Sequence, residues 1–243
     1  LWTSDVAASR TFYGELFGWE AQEPNPEFGG YFMFTRAGVP IAGAMGDMGP
    51  DMPAADSWKI YLATDDVAKT AEAAEAAGAR IVSPAMGVAD LGIQAVLTDP
   101  TGGHLGAWQA GTFPGFTVLN EPGAPSWFEL HTPDHAGSVE FYRSVFHWDT
   151  RAVGDSDEFR YTVMLDPGGG ELAGVMDGSA WLPAGSPAQW SVYWEVDDAD
   201  STVAKAKALG GSVVMEAGDT PYGRLATVTD PAGAEFKLRT PNR

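Results

Sequence analysis

The chain has no cysteine among its 243 residues, which excludes disulfides, zinc-thiolate sites and thiol catalysis. Positive charge is scarce: 14 Lys and Arg stand against 33 Asp and Glu, a formal net charge of −19. Nucleic acids and anionic membrane surfaces need basic patches that neutralise phosphates, so neither is expected as a partner. Long apolar runs are missing too, and no stretch approaches the roughly 20 residues that span a bilayer. What remains, 44% hydrophobic and 19% charged residues, is the composition of a soluble globular chain rather than a disordered one. A cysteine-free cytoplasmic protein fits these absences, and small molecules or other proteins remain as partners.

What is present is present twice. Leu1 to Trp19 aligns without a gap on Leu130 to Trp148, with Leu, Thr, Asp, Ala, Ser, Phe, Tyr, Phe and Trp at matching positions. Trp58 to Gly78 likewise matches Trp190 to Gly210 at Trp, Tyr, the Asp-Asp pair, Thr, Ala and Gly. The chain is an internal duplication. Its length suits two domains of roughly 120 residues. The repeat assigns them to residues 1–110 (modules 1–50 and 56–110) and 125–243 (modules 125–178 and 187–243), joined by a Gly- and Pro-rich linker at 111–124. Leu1 already lies inside the first repeat and no Met precedes it, which points to a few residues upstream.

Each module has one grammar. Asp5 and Asp134 are good N-caps for helices in which Phe12, Tyr13, Leu16 and Phe17, or Phe141, Tyr142, Val145 and Phe146, recur at helical spacing. Gly18 and His147 stand at the helix ends. In the second halves, strands from Trp58 to Ala63 and from Trp190 to Val196 lead to Asp65-Asp66 and Asp197-Asp198, which cap Ala-rich helices ending at Gly78 and Gly210. Two further strands follow, then an Asp-Pro-x-Gly turn (Asp99 to Gly102, Asp230 to Gly233), then a last strand. Strand, helix and three strands, four times over, make an α+β protein of four βαβββ modules.

The helix ending FYxxLFGW, the Asp-Asp pair before an Ala-rich helix and the DPxG turn resemble the vicinal oxygen chelate superfamily, which includes glyoxalase I, extradiol dioxygenases and bleomycin-resistance proteins. The resemblance covers nearly the whole chain as a tandem two-domain member. It implies two glyoxalase-like cups, each a curved sheet made by a pair of modules. Metal-binding members hold a divalent ion in the cup with His, Gln or Glu from the first and last strands. Carried over by strand, helix and turn landmarks, those positions fall on Trp127, Gly174, Ser191 and Lys237 in the second copy. In the first copy they fall upstream of Leu1 and on Gly43, Lys59 and Gly106. None of the positions within the sequence is a good ligand and a lysine ammonium repels cations, so neither a metal nor another cofactor is expected.

Strand alternation selects what faces each cup. Phe128 and Leu130 suit the helix side, leaving Trp127, Glu129 and His131 inward. Trp190, Val192 and Trp194 pack, which turns Ser191, Tyr193 and Glu195 inward; Phe236 and Leu238 pack, which leaves Glu235, Lys237 and Arg239. The first cup reads as more apolar, with Trp2, Ile41, Met45, Tyr61 and Trp108 joined by Lys59 and His104. Aromatic walls with a few convergent polar groups describe a small-molecule pocket, and a drug-sequestering, metal-independent binder is the first functional expectation. A metal-independent isomerase, lyase or cyclase using His131 or Glu129 as base and Lys237 as oxyanion partner is the second. A metal-dependent glyoxalase or dioxygenase ranks third. His135 and His147 read as exposed helix-end residues, and Gly168 to Gly170 as a hairpin tip. Both copies can complete their cups within one chain, as a monomer or in a homodimer.

Overall fold

The structure, a computed structural model, describes residues 1–49 and 54–242; the module ends placed at 50 and 243 lie outside these. The first module holds α1 (Val6–Phe17), β1 (Glu20–Ala21), β2 (Phe32–Arg36) and β3 (Val39–Ala44). The second holds β4 (Tyr61–Ala63), α2 (Val67–Ala76), β5 (Arg80–Val88), β6 (Gly92–Thr98) and β7 (His104–Ala110). The third runs β8 (Pro125–Thr132), α3 (His135–Phe146), β9 (Asp149–Asp155), β10 (Arg160–Leu165) and β11 (Glu171–Asp177). The fourth runs β12 (Gln189–Glu195), α4 (Ala199–Ala208), β13 (Ser212–Thr220), β14 (Gly223–Thr229) and β15 (Glu235–Thr240). The α+β class and the module order are as expected, with two local differences. In the first module an opening strand is reduced to isolated bridges from Trp2 to Met45 and Ser57. The strand expected from Trp58 begins only at Tyr61.

The helices start where a side-chain oxygen satisfies a first-turn amide. Asp5 accepts from Ala8 N and Asp134 from Gly137 N. In the Asp-Asp pairs the second residue does this work: Asp66 accepts from Lys69 N and Asp198 from Ser201 N. Gly18 and His147 end α1 and α3 in the left-handed region, at φ 72° and 57°. Asp166 accepts from Gly168 N and Gly170 N, which makes the glycine run a hairpin tip.

The chain forms two compact units, 1–58 with 115–126 and 192–243, and 59–114 with 127–191. The first unit contains β1-β2-β3 and β13-β14-β15, with most of β12 beside β15; the second contains β4-β7-β6-β5 and β8-β11-β10-β9. In the second, third and fourth modules the first and last strands pair in parallel, β4 with β7, β8 with β11 and β12 with β15. No helix among the described residues is long and apolar enough to cross a membrane.

One buried tyrosine organises the core of each unit. In the first, the Tyr13 ring lies 5.0–6.3 Å from those of Phe12, Phe17, Trp19, Phe34, Trp58 and Phe236. Its hydroxyl donates to Asp230 Oδ2 (3.0 Å) and accepts from Trp58 Nε1 (3.1 Å). In the second unit Tyr142 donates to Asp99 Oδ2 (2.6 Å) and accepts from Trp190 Nε1 (2.9 Å). The other oxygen of each aspartate holds its own turn: Asp99 Oδ1 accepts from Thr101 N and Gly103 N, and Asp230 Oδ1 from the amides of Ala232, Gly233 and Ala234. The Asp-Pro-x-Gly segment is therefore both a turn and an anchor. Burial first, and then the neighbouring carboxylate, pushes both phenols well above the usual tyrosine range.

Removing either hydroxyl leaves a buried carboxylate oxygen and an indole N–H without their partner. Tyr13→Phe and Tyr142→Phe are each expected to lower the unfolding free energy by about 1–3 kcal/mol in urea titrations. Losses of only a few tenths would show that the bonds contribute little.

Candidate functional site

On β8, Leu130 is fully buried in the core, and alternation turns Trp127, Glu129 and His131 to the opposite face of the second unit's sheet. Hydrogen bonds join them through a residue of β10. Trp127 Nε1 donates to the Tyr161 hydroxyl (2.8 Å), which donates to Glu129 Oε1 (2.9 Å). Glu129 Oε2 lies 2.6 Å from His131 Nε2. Glu129 is only 6% exposed, so its carboxylate requires these partners. Two exposed rings flank the group: Trp181 meets His131 edge-on at 4.9 Å, and Phe159 lies parallel to Tyr161 at 5.9 Å.

Gly174 on β11 stands opposite Glu129, and the Tyr161 ring occupies the place where a Cβ on that glycine would project. The device recurs. Tyr31 covers Gly43 in the first unit, and Tyr61 covers Gly106 in the second. Each tyrosine needs its glycine, because any larger residue would drive into the ring.

Comparison with known proteins places this geometry in a family. Residues 125–238 match the model of the Glyoxalase/Bleomycin resistance protein/Dioxygenase superfamily, and residues 1–106 match a glyoxalase-like domain. "Putative glyoxylase CFP32" of Mycobacterium bovis is 38% identical over 99% of this chain and 92% of its own length. "Anthracycline biosynthesis protein DnrV" of Streptomyces peucetius is 34% identical over 98% of this chain and 90% of its own. The chain belongs to the glyoxalase/bleomycin resistance protein/dioxygenase superfamily. Its fold is shared with a Mn(II)-bound glyoxalase from Novosphingobium aromaticivorans (TM-score 0.63, 18% identity, 98% of this chain and 79% of the other). It is shared also with 2,2',3-trihydroxybiphenyl 1,2-dioxygenase from Sphingomonas wittichii (TM-score 0.61, 17% identity, 98% and 87%).

Against the superfamily's metal positions the side chains do not suit a divalent ion. Gly43, Gly106 and Gly174 offer no donor and are covered by tyrosines. Of the other positions that lie within the sequence, four hold Trp127, Ser191, Lys59 and Lys237. Among the described residues no group of three or more His, Asp or Glu is placed to hold a metal.

The other sequence-derived site residues fall into smaller groups. In the first unit, Lys237 Nζ donates to the Tyr193 hydroxyl (3.2 Å) and lies 4.8 Å from the ring centroid. Arg239 stands 3.6 Å from Glu195, Glu235 is half-buried opposite Thr229, and Trp2 Nε1 donates to Gly46 O. In the second unit Ser191 is buried, Trp108 Nε1 donates to Phe113 O, and Lys59, Tyr61 and His104 lie along β4 and β7. Of the expected catalytic trio, His131 and Glu129 are bonded to each other, and Lys237 belongs to the other compact unit.

His147 is exposed as expected, but His135 is not the exposed residue the sequence implies. It opens α3 half-buried, its Nε2 is buried without a hydrogen-bond partner, and it lines a cavity of about 400 Å³ with Asp155, Arg160 and Asp177. Packing of the first helical turn against the sheet takes the ring out of solvent. Burial is the main cause that lowers its pKa, with Arg160 acting in the same direction against Asp177, Asp155 and a backbone hydrogen bond with Val175. A depressed folded-state pKa means the unfolded chain binds the proton more readily, so stability is lost as pH falls through the imidazole range. Urea midpoints measured across that range are expected to fall less steeply in His135→Asn; an unchanged slope would contradict this.

A second expectation concerns the tyrosine over its glycine. Gly174→Ala should cost about 1–3 kcal/mol by overpacking, and less when Tyr161→Ala has already cleared the space. Equal costs in the two backgrounds would show that the ring does not occupy that place.

Proposed function

We propose that the protein binds a small polycyclic aromatic molecule without a metal ion, at the Glu129–Tyr161–His131 face of the second unit, and holds it as a sequestering binder. The observation that carries this reading is Tyr161, packed over Gly174 and bonded to both Trp127 and Glu129. It turns a ligand position of the superfamily into part of an aromatic surface, with Phe159 and Trp181 exposed on either side. Rings around a few fixed polar groups suit a planar molecule that carries hydroxyls or carbonyls: stacking supplies affinity, and Glu129 and His131 supply orientation. The similarity to the anthracycline biosynthesis protein DnrV supports the same ligand class, since anthracyclines are fused-ring aromatic compounds.

One observation favours an enzymatic reading as the alternative. The 2.6 Å contact between His131 and Glu129 pairs an imidazole with a carboxylate, an arrangement that can serve general acid–base catalysis. On this reading His131 moves a proton on the bound molecule in a metal-independent isomerase, lyase or cyclase reaction, and Glu129 orients the ring. A metal-dependent glyoxalase or dioxygenase activity has the least support, because the donor set is unsuitable.

Titration of tryptophan fluorescence with an anthracycline, followed by chromatography of the recovered ligand, separates these readings. Sequestration predicts saturable quenching, ligand recovered unchanged, and affinity lowered by about threefold to tenfold in Trp181→Ala through lost ring contact. A product that disappears in His131→Ala would establish the enzymatic reading. Absence of saturable binding would contradict both.

A further inference from the structure

The face of β8 that carries Leu130 and Thr132 looks away from Glu129 and His131, toward α3. On that side Asp177 of β11 pairs with Thr132, and Arg160 of β10 pairs with Asp155 of β9. These residues and the start of α3 enclose the cavity of about 400 Å³ that holds His135. Arg160 is matched there: Nε donates to Asp155 Oδ1 (3.1 Å) and Nη1 to Asp177 Oδ2 (3.1 Å). His135 is not. Its Nε2 is shut off from solvent and has no hydrogen-bond partner among the described residues. The backbone bond with Val175 favours the protonated ring, so its acceptor is the carbonyl and its donor the other ring nitrogen. Nε2 then keeps its lone pair, and a buried acceptor without a donor is costly.

The fourth module shows that the fold does not require this acceptor. Asp219 stands opposite Arg224 there as Asp155 stands opposite Arg160. The residue after the helix cap is Ala199 instead of His135, and the next, Asp200, pairs with Arg224 through two bonds (2.5 and 2.9 Å). In the third module Ala136 takes the place of Asp200, so the helix start supplies no ion-pair partner and the histidine lines open space. Asp134, Asp155 and Asp177 line that space against one guanidinium, a balance that attracts a cation. Asp134 also caps α3 and offsets the partial positive charge of its end.

We propose that this cavity is a binding site for a small primary ammonium. The ammonium donates to His135 Nε2 and to a carboxylate oxygen of Asp177 or Asp155, and its organic group lies against Pro133, Ala136 and Ala152. The cavity is on the opposite face of the sheet from Glu129 and His131, so the inference does not rest on the function proposed above. An acidic surface alone would hold a cation at any pH at which its carboxylates are charged. Here protonation of His135 removes the lone pair and adds a like charge. Burial lowers the pKa of that imidazole. Burial raises Asp177, but its bonds with Ser179 and Arg160 outweigh this and hold it below the usual carboxylate range. Between about pH 8 and pH 5 the histidine therefore titrates while Asp177 stays ionised.

Calorimetric titration of the full chain with benzylamine, and with its uncharged counterpart benzyl alcohol, tests it at both ends of that pH range. The amine, protonated throughout, is expected to bind at least about tenfold more tightly than the alcohol at pH 8, and at least about fivefold more weakly at pH 5 than at pH 8. His135→Asn, which lacks the acceptor, should lose most of the affinity at pH 8 and all of the pH dependence. Asp200→Asn, at the matching helix start of the fourth module, should leave the binding unchanged. Should His135→Asn fail to fold, the pH series on the unaltered chain decides. Equal affinity for amine and alcohol, no saturable amine binding, the same affinity at both pH values, unchanged affinity in folded His135→Asn, or an equal loss in Asp200→Asn would each overturn the proposal.

Discussion

A phenol held between a carboxylate and an indole ties each compact unit together. The partners come from distant parts of the chain: Tyr13 is on α1, Asp230 in the turn before β15, and Trp58 in the segment before β4. Tyr142, Asp99 and Trp190 repeat the arrangement in the second unit. Each aspartate uses one oxygen to close its own turn and the other to accept from the tyrosine, so turn geometry and helix position are set by the same side chain. A buried phenol without an acceptor, or a buried carboxylate without a donor, costs more than the net worth of an ordinary hydrogen bond. The Phe-Tyr pair, the Trp and the DPxG turn therefore recur in both copies as parts of one interaction.

Once the core faces are fixed by these bonds, alternation fixes what the opposite faces carry. There the copies differ from one another. Three ligand positions of the superfamily hold glycine under a tyrosine ring, and the fourth comparable position holds Lys237 against Tyr193. Positions that would suit a cation if they carried His or Glu carry here tyrosine-covered glycines and lysines, with the part-buried Glu129–His131 pair beside them. The fold and its inner surface thus answer to separate constraints, which is why family membership fixes the first and leaves the second open.

Most of the scaffold was legible in the sequence, because short-range chemistry determines it. Asp caps, the helical spacing of Phe12, Tyr13 and Leu16, and alternation on β8, β12 and β15 depend on residues within a few positions of each other. The inner face was legible only in part. Trp127, Glu129 and His131 follow from alternation, whereas Tyr161 reaches from β10 to cover a glycine on the neighbouring β11, a diagonal contact fixed by a register that no single strand encodes. Gly174 could be read as a missing ligand but not as the space that a tyrosine needs. Trp181 lies in a loop without periodicity, and the burial of His135 depends on how the first turn of α3 packs on the sheet.

On the function proposed here, aromatic rings take the place of a divalent ion at the Tyr161 face. The most direct test is metal content per chain by mass spectrometry, on protein purified without chelators or a metal-affinity tag, followed by anthracycline titration before and after EDTA. With rings in that place, no stoichiometric divalent ion is expected and both titrations should give the same affinity. A stoichiometric ion whose removal abolishes binding would contradict it.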